Sequence, residues 1–428
     1  MSIAELHKEF TNSDGISIDT RENLKGKIFF ALKGENFDGN KFALKAIKNQ
    51  AKLAVVGNSK LEKHPQFIFV EDVLKTLQNL AEFHRKYLGI PIVAITGSNG
   101  KTTTKELVSA VLSKKYKVSF TKGNLNNHIG VPLTLLKMSK KTEVGVVEMG
   151  ANHQKEIEFL CKIAQPDFGY ITNFGKAHLA GFGGFEGVIK GKSELYQYLI
   201  KENKKIFINV EDELQKKQSK EGELIKMSNT SESVCKVDLI SANPYVEVKF
   251  ENTLIKSHLL GDYNLKNITA AIAIGKHFQV ENQQIKSAIE EYQPDNNRSQ
   301  IIEKGKFKII LDAYNANPTS MKLAIKNFEK FPASSKVVFL GDMFEVGKTA
   351  IAEHQKIVDL LEKSEIDKAY VCGEIFFQTQ VERTKRFKDF ESLEKEIKTQ
   401  DFAETAFLIK GSRGMKMERI LAVFKEKE

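Results

Sequence analysis

Ile92-Val93-Ala94-Ile95-Thr96-Gly97-Ser98-Asn99-Gly100-Lys101-Thr102-Thr103-Thr104 is the stretch that decides how this chain is read. An apolar run ends in a Gly/Asn turn, then Lys-Thr, then the helix-forming segment Thr104–Leu112. The pattern predicts a strand, a phosphate cradle and a helix N-terminus, in that order. Glycines let backbone N–H groups crowd round phosphate oxygens, and the helix dipole favours the negative charge. Gly97, Ser98, Asn99, Gly100, Thr102 and Thr103 form the candidate cradle. Lys101 would reach the outer phosphates, and the Thr102 hydroxyl would sit on Mg²⁺. Ile95 stands where a full phosphate-loop motif has its first glycine, so the motif is incomplete. A Gly/Asn surface turn is the plain alternative.

At 428 residues the chain is too long for one ordinary core and predicts two or three domains. Hydrophobic residues make up 41% and charged residues 28%, the balance of a soluble globular protein. No run approaches the about 18 apolar residues of a membrane span. Glu5, His7, Lys8 and Glu9 put charge where a signal peptide would be apolar. Cys161, Cys235 and Cys372 are widely spaced and odd in number. They point to a reducing, cytoplasmic setting and away from a disulfide frame or a zinc site. The net charge of +10 raises nucleic acid as a partner, but 55 acidic residues are mixed among 65 basic ones with no long basic run and no tryptophan. Solvated surface is the reading favoured here, with no nucleic-acid partner; such a field also attracts anionic nucleotides.

The α/β pattern divides the chain into segments 1–88, 89–296 and 297–428. The first reads as a small mixed α/β unit, with strands at Ile16–Ile18, Ile28–Leu32 and Leu53–Val56 and a helix at Phe42–Gln50. A helix at Val73–Tyr87 leads to the Gly89–Pro91 break. In the second segment the apolar runs Val144–Val147, Phe168–Ile171 and Ile206–Ile208 alternate with helical stretches, which predicts a mostly parallel sheet. Val246, Val248 and Phe250 then alternate with Glu247, Lys249 and Glu251, the mark of added antiparallel strands with one wet face. Leu265–Phe278 reads as a buried helix. The polar stretch Gln293-Pro294-Asp295-Asn296-Asn297 reads as a hinge. Beyond it, strands at Lys308–Leu311, Lys336–Leu340, Ala369–Val371 and Ala406–Ile409 predict a second doubly wound, Rossmann-like unit. Its ligands would gather at the strands' carboxyl ends.

Side chains with chemistry sit at such strand ends. Glu148 follows Val144–Val147, where a carboxylate is placed to hold Mg²⁺. His178 follows the strand Tyr170–Thr172 through Asn173-Phe174-Gly175-Lys176-Ala177. A lone histidine is more often a hydrogen-bonded structural residue than a ligand, but Glu148 and His178 follow strands of the same sheet, which leaves a metal or phosphate role equally open. Asp312-Ala313-Tyr314-Asn315-Ala316-Asn317-Pro318 offers groups for ribose and nucleotide contacts, or an Asx turn. Lys410-Gly411-Ser412-Arg413-Gly414 is an anion-binding turn or a plain basic loop.

At this point the residues look like a family. Thr96–Thr103 resembles the short phosphate loop of the Mur ligases and folylpolyglutamate synthases. More specific are Asn124–Pro132, Glu148-Met149-Gly150-Ala151-Asn152-His153, Asp312–Pro318 with Ser320-Met321, Gly341-Asp342-Met343, and Lys410–Arg413 with Met417-Glu418. In that order they resemble the Mur ligase branch that joins D-alanyl-D-alanine to a UDP-N-acetylmuramoyl-tripeptide. Ile18-Asp19-Thr20-Arg21, Ala31-Leu32-Lys33-Gly34 and Asp38-Gly39 look like that branch's UDP-sugar-binding domain, so the resemblance covers nearly the whole chain.

The resemblance implies three α/β domains: a UDP-binding unit, a central ATPase unit and a C-terminal ligase unit. It implies ATP and Mg²⁺ as cofactors, an acyl-phosphate route to an amide, and a cytoplasmic enzyme expected to act as a monomer. Lys101 and Thr102 would hold phosphates and a first Mg²⁺ with Glu148, and His178 would support a second. Lys192 aligns with the lysine that the superfamily carbamylates, although Lys190 is close by and an exposed helix lysine is the plain alternative. Lys101, Glu148, His178 and Lys192 are thus the expected catalytic set. Asn264 and Asn267 match an asparagine pair near the adenine. Arg298, Asp312 and Asn315 would reach the nucleotide from the third domain. Asn297 stands before Arg298 where the family usually has glycine. Asp19, Thr20, Arg21, Gly34 and Asp38, with Asn126, Asn127 and Arg413, are the expected substrate contacts. Two other readings are open: a ligase adding a single amino acid or folate glutamate, and a phosphate-loop module that drives motion or binds nucleic acid. The Asp312–Pro318 motif argues against the first, and the N-terminal motifs go unexplained by the second.

Overall fold

The computed structural model describes residues 1–227, 233–294 and 297–424. Of the expected hinge, Asp295 and Asn296 lie outside the described residues. The N-terminal segment builds a four-stranded sheet in the order Ile16–Ser17, Ile28–Phe30, Leu53–Val56, Phe67–Phe69, with every pair parallel. Ile28, Phe29, Phe30, Ala54, Val55 and Val56 are all buried, which is why these strands read as apolar runs rather than alternations. Because the strands run one way, the loops Ile18–Arg21 and Ala31–Asp38 leave from the same carboxyl edge. The expected helix Phe42–Gln50 is shorter, a 3₁₀ turn Gly39–Phe42 followed by Ala43–Lys48. The Asp38 side chain accepts from Asn40 N (3.0 Å) and starts that turn early. Phe67–Phe69 is too short a run to announce itself as a strand.

The helix Val73–Leu88 joins this unit to the next. Leu77, Leu80 and Ala81 are fully buried in one continuous core with Leu6, Phe10, Ile92 and Ala94. Each such leucine contributes about 1.5–3 kcal/mol. The helix ends at Gly89, left-handed at φ +61. Its last turn is fixed to the central unit by Arg85, whose Nε donates to Ala164 O (2.9 Å) and whose Nη2 pairs with Asp167 (2.8 Å).

The central sheet has six strands, in the order Glu223–Met227, Lys205–Asn209, Phe168–Ile171, Ile92–Thr96, Val144–Glu148, Val118–Phe120. Every pairing is parallel. Ile92–Thr96 therefore lies between the strand that ends at Glu148 and the strand that leads to His178. Its loop opens into the helix Lys101–Ser113 between those two strand ends. The antiparallel strands Val237–Ala242, Tyr245–Phe250 and Thr253–Leu260 form a separate sheet, with Val246, Val248 and Phe250 buried. The helix Asn264–His277 that follows is buried along most of its length and packs on Lys101–Ser113.

The C-terminal sheet runs Gln300–Lys304, Phe307–Asp312, Thr405–Lys410, Ser335–Gly341, Lys368–Cys372, Lys385–Phe387. Only its first pair is antiparallel, and that added edge strand was not legible from its short Ile301-Ile302 core. Cys161, Cys235 and Cys372 are free and buried, and burial pushes the Cys235 thiol up to about 12. Among the described residues no helix is long and apolar enough to cross a membrane.

Candidate active site

The cradle loop is held on one side by the neighbouring strand end. Ser98 N donates to Asn173 O (3.1 Å) and Asn99 N to Asn173 Oδ1 (3.1 Å). Thr172 Oγ1 donates to Asn99 O (2.6 Å), and Ser98 Oγ to Gly175 O (2.9 Å). Gly97 and Gly100 carry the turn at φ +139 and +79. A Cβ on Gly100 would lie 2.7 Å from Asn267 Oδ1, so the loop sits directly on the helix Asn264–His277. Lys101 Nζ folds back to the loop, donating to Gly97 O (2.8 Å) and Ser98 O (3.2 Å). Burial lowers the pKa of this ammonium; Glu148 opposes the shift and Arg298 adds to it.

Glu148 is 2% exposed and sits at the carboxyl end of the strand beside the loop. Asn126 Nδ2 donates to its Oε1 (2.7 Å), whereas its Oε2 has no hydrogen-bond partner. Lys105, also fully buried, comes to 4.0 Å of that oxygen and is itself tied to Thr121 O (2.9 Å). Among the described residues no three His, Cys, Asp or Glu side chains converge as a complete metal cage. A divalent cation here would take one carboxylate, the Thr102 hydroxyl and phosphate oxygens, a donor set that suits Mg²⁺. The orphaned Glu148 oxygen fits that need.

Lys192 lies on the helix Phe185–Lys201 and is 1% exposed. Its Nζ donates to Ala151 O (3.1 Å) and stands over the Phe182 ring. Burial pushes this amine well below the ordinary lysine range, and Lys101 adds to the shift. His178 is left-handed at φ +52 and faces Glu345 of the C-terminal unit.

The far wall comes from two directions. Asn264 Nδ2 donates to Leu260 O (2.7 Å), and Asn267 Nδ2 to Asn264 Oδ1 (2.7 Å), so the pair is fixed as a unit. Thr104 Oγ1 completes it by donating to Asn267 Oδ1 (3.0 Å). From the C-terminal unit, the Arg298 guanidinium stacks on Tyr314 at 3.6 Å with its Nε unpartnered. Asn297 holds the turn before it at φ +58, a left-handed conformation that asparagine tolerates better than most residues where glycine is missing. Asp312 accepts from Lys410 Nζ (2.6 Å) and Ser299 N (3.2 Å). Asn315 Oδ1 accepts from Ala316 N (2.9 Å). Asn317 Nδ2 reaches across to Asn99 Oδ1 (2.7 Å), joining the third unit directly to the cradle.

These walls enclose a cleft of about 1160 Å³. Ser98, Asn99, Gly100, Lys101, Thr102, Thr103, Asn126, Asn127, Glu148, His178, Asn264, Asn267, Arg298, Asp312, Asn315 and Arg413 all line it. Gly97 lies behind the loop against Thr172. Lys192 sits beneath the floor under Ala151 rather than in the lining. Asp19, Thr20, Arg21, Gly34 and Asp38 are not in this lining; they stand in the N-terminal unit, in loops at its sheet's carboxyl edge. There Asp19 and Arg21 pair with each other at 2.6 Å. Sequence reading missed Tyr263, Phe344 and Glu345 in the lining. Tyr263 adjoins Asn264, and Phe344 and Glu345 directly follow Gly341-Asp342-Met343, so adjacency to motifs already noted was the available signal.

Fold and site together define a phosphate-loop α/β protein with a nucleotide-sized cleft between units. The model of the Mur ligase middle domain matches residues 95–275, and that of the Mur ligase, glutamate ligase domain matches 297–413. The UDP-N-acetylmuramoyl-tripeptide–D-alanyl-D-alanine ligase of Bacillus subtilis is 33% identical over 98% of this chain and 95% of its own length. The Escherichia coli protein of the same name is 30% identical over 99% and 96%. A crystal structure of MurF from Acinetobacter baumannii superposes with a TM-score of 0.87 at 28% identity, covering 98% of both chains. MurF ligase from Thermotoga maritima in complex with ADP gives 0.83 at 27% identity, over 96% of this chain and 97% of that one. The chain belongs to the Mur ligase family, in its group of UDP-N-acetylmuramoyl-tripeptide–D-alanyl-D-alanine ligases.

Proposed function

We infer that the chain is an ATP-dependent amide ligase that adds D-alanyl-D-alanine to a UDP-N-acetylmuramoyl-tripeptide, the last cytoplasmic step toward the peptidoglycan pentapeptide precursor. The observation that carries this reading is the cleft itself. A phosphate cradle, an orphaned Glu148 oxygen and the Asp312–Asn317 loop of a second unit face one another across a single space. The units are taken as 1–88 for the sugar nucleotide, 89–296 for ATP and 297–428 for ligation. The three buried free cysteines accord with a reducing cytoplasm, and a monomer is the assembly proposed.

In this reading the tripeptide carboxylate attacks the γ-phosphorus of ATP, giving an acyl phosphate and ADP. The amine of D-alanyl-D-alanine then attacks the acyl carbon, and phosphate leaves. The loop N–H groups of Gly97–Thr103 and the Lys101 ammonium hold the phosphates and neutralise charge as it shifts. Thr102 and Glu148 are the Mg²⁺ ligands proposed for the first site, and His178 and a carbamylated Lys192 those for further metal support. Bound there, Mg²⁺ would draw charge from the phosphate oxygens. Burial, with the nearby Lys101, shifts the Lys192 amine toward its neutral form, the form that reacts with CO₂. Asn264 and Asn267 face the base, and Arg298, Asp312 and Asn315 bind the nucleotide from the third unit. Asp19, Thr20, Arg21, Gly34 and Asp38 take the sugar nucleotide, with Asn126 and Asn127 nearer the reacting end and Arg413 at the acceptor side. The contacts of Asn317 with Asn99 and of Lys176 with Glu353 (3.0 Å) support closure of the third unit over the cradle, which keeps water from the acyl phosphate.

The test is phosphate release by the purified protein with ATP, Mg²⁺, D-alanyl-D-alanine and each UDP-muramoyl-tripeptide, ending in lysine or diaminopimelate, with products weighed by mass spectrometry. An ATP-dependent gain of the dipeptide mass is expected. Hydrolysis without ligation, or ligation of a free amino acid instead, would overturn the reading.

A further inference from the structure

Lys105 is a fully buried cation beside the cradle. Lysines are almost never this deep unless they are paired. It stands on the helix Lys101–Ser113, one turn beyond Lys101 and Thr102 and on their side of it. Its ammonium donates to Thr121 O (2.9 Å) and to Glu106 Oε1 (3.3 Å). Glu106 is anchored in turn, because Tyr292 Oη donates to its other oxygen (2.6 Å). Glu148 Oε2 lies 4.0 Å from Lys105 Nζ, an ion-pair distance too long for a hydrogen bond.

Thr121 is the far end of this tie. Its N–H donates to Val146 O (3.0 Å), and its hydroxyl oxygen accepts from Glu148 N (3.0 Å). Both partners lie on the strand Val144–Glu148. Lys105 therefore joins the helix that carries Thr102 to the strand that ends in Glu148, through a single intermediate residue. Asn126 holds the carboxylate from the other side, donating from Nδ2 to Oε1 (2.7 Å). With its backbone fixed by Thr121 and Oε1 fixed by Asn126, Glu148 is left with Oε2 as the oxygen that has no hydrogen-bond partner.

Thr102 and Glu148 belong to different elements, so their spacing is only as exact as the link between those elements. Exactness matters for the ion. Mg²⁺ demands near-octahedral geometry at about 2.0–2.1 Å, whereas Ca²⁺ accepts about 2.3–2.6 Å and a looser shell.

We propose that Lys105 is a positioning residue for the metal site: by tying Thr121 to the cradle helix it fixes the spacing of Thr102 and Glu148, and so sets a preference for Mg²⁺ over larger divalent ions. This rests on the reading of Thr102 and Glu148 as Mg²⁺ ligands and assigns the residue that spaces them. Charge works in the opposite direction, since an ammonium near Glu148 repels any divalent cation. What the lysine gives the site is geometry, not attraction.

The test titrates β,γ-methylene-ATP into the full-length protein by calorimetry, in Mg²⁺, in Ca²⁺ and in EDTA. The gain in affinity over EDTA reports each metal separately from the cradle. The wild type is expected to gain at least about 10-fold from Mg²⁺ and less from Ca²⁺. Lys105→Met keeps the chain length and removes the tie. It is expected to lose most of the Mg²⁺ gain, within the about 10- to 100-fold that outer partners of a metal ligand contribute, while its Ca²⁺ gain stays within about 3-fold of the wild type's. Thr121→Val has the same shape, leaves the Lys105 charge in place and removes only the acceptor for Glu148 N; it is expected to lose the Mg²⁺ preference as well. The double variant should lose little more than either single one, because both act through one chain of contacts. A Mg²⁺ gain that is unchanged or larger in Lys105→Met overturns the proposal, since loss of charge alone gives that result. So does a Thr121→Val protein that discriminates as the wild type does, or a wild type that gains as much from Ca²⁺ as from Mg²⁺. Should Lys105→Met fail to fold, Thr121→Val decides by itself. A wild type to which Mg²⁺ adds nothing refutes the reading of Thr102 and Glu148 as metal ligands, which separates the two failures.

Discussion

Gly97→Ala is the sharpest probe of how the cradle is built. A Cβ at this position would lie 2.0 Å from Thr172 Oγ1 and 3.0 Å from Thr172 N, on a backbone at φ +139. The unfavourable backbone costs alanine about 1–2 kcal/mol. Thr172 must also move, and overfilling a packed site costs about 1–3 kcal/mol. Its hydroxyl would then lose the 2.6 Å bond to Asn99 O, worth about 1 kcal/mol. The expected destabilisation is about 3–6 kcal/mol, and even its lower bound is a fall of about 6–12 °C in the melting temperature of a unit this size. ADP binding should weaken at least about 10-fold, because Ser98 and Asn99 are positioned through the same strand end. The assay is thermal unfolding together with ADP titration calorimetry, on Gly97→Ala, Thr172→Ala and the double variant. Removing the Thr172 hydroxyl takes away the closest overlap, so Gly97→Ala should cost about 1–2 kcal/mol less in that background. Equal penalties in both backgrounds, or an unchanged ADP affinity in Gly97→Ala, would refute the reasoning.

Lys192→Met should abolish nearly all turnover while the protein remains folded, as read by activity and circular dichroism; full activity would remove Lys192 from the site. Its depressed pKa has a signed consequence. The folded amine releases its proton at a lower pH than the unfolded one, so the unfolded chain binds more protons and stability rises with pH through that window. Relative to Lys192→Met, the wild type in CO₂-free buffer should gain up to about 1.4 kcal/mol per pH unit in denaturant melts toward the ordinary lysine range, and parallel profiles would contradict this. Lys410→Met removes one partner of a largely buried ion pair, 2% and 17% exposed, and should cost about 3–5 kcal/mol in urea unfolding, with Asp312→Asn in the same chain restoring much of it. His7 and His84 share a 3.0 Å hydrogen bond where the N-terminal helix packs on Val73–Leu88, and burial lowers both pKa values. Unfolded histidines therefore take up protons first as pH falls below about 6.5. Hydrogen-exchange protection in the helix Ile3–Thr11, taken relative to the intrinsic exchange rate at each pH, should fall between pH 7 and pH 5, and His84→Gln should flatten that response.

The sequence by itself determined the class of the fold and the chemistry of the cradle. Apolar runs such as Ile92–Thr96 and Val144–Glu148 are buried on both faces in a parallel sheet, so they carry no competing pattern. Local rules also sufficed for the loop: glycine where φ is positive, Lys-Thr at a helix start. Short edge strands such as Phe67–Phe69, Val118–Phe120 and Gln300–Lys304 were not legible, because three to five residues hold too few positions to show a period. Tertiary structure alone decided which strand ends adjoin. Strand order puts Ile92–Thr96 between the strands leading to Glu148 and His178, a fact of sheet pairing over long sequence separations. It also decided that Lys192 lies under Ala151 rather than exposed, and that Asn317 reaches Asn99 across the interdomain cleft. Residue types can be read along the chain because their conformational preferences are local. Which of them face a common space depends on how whole sheets pack, and that is set by the burial of side chains far apart in sequence.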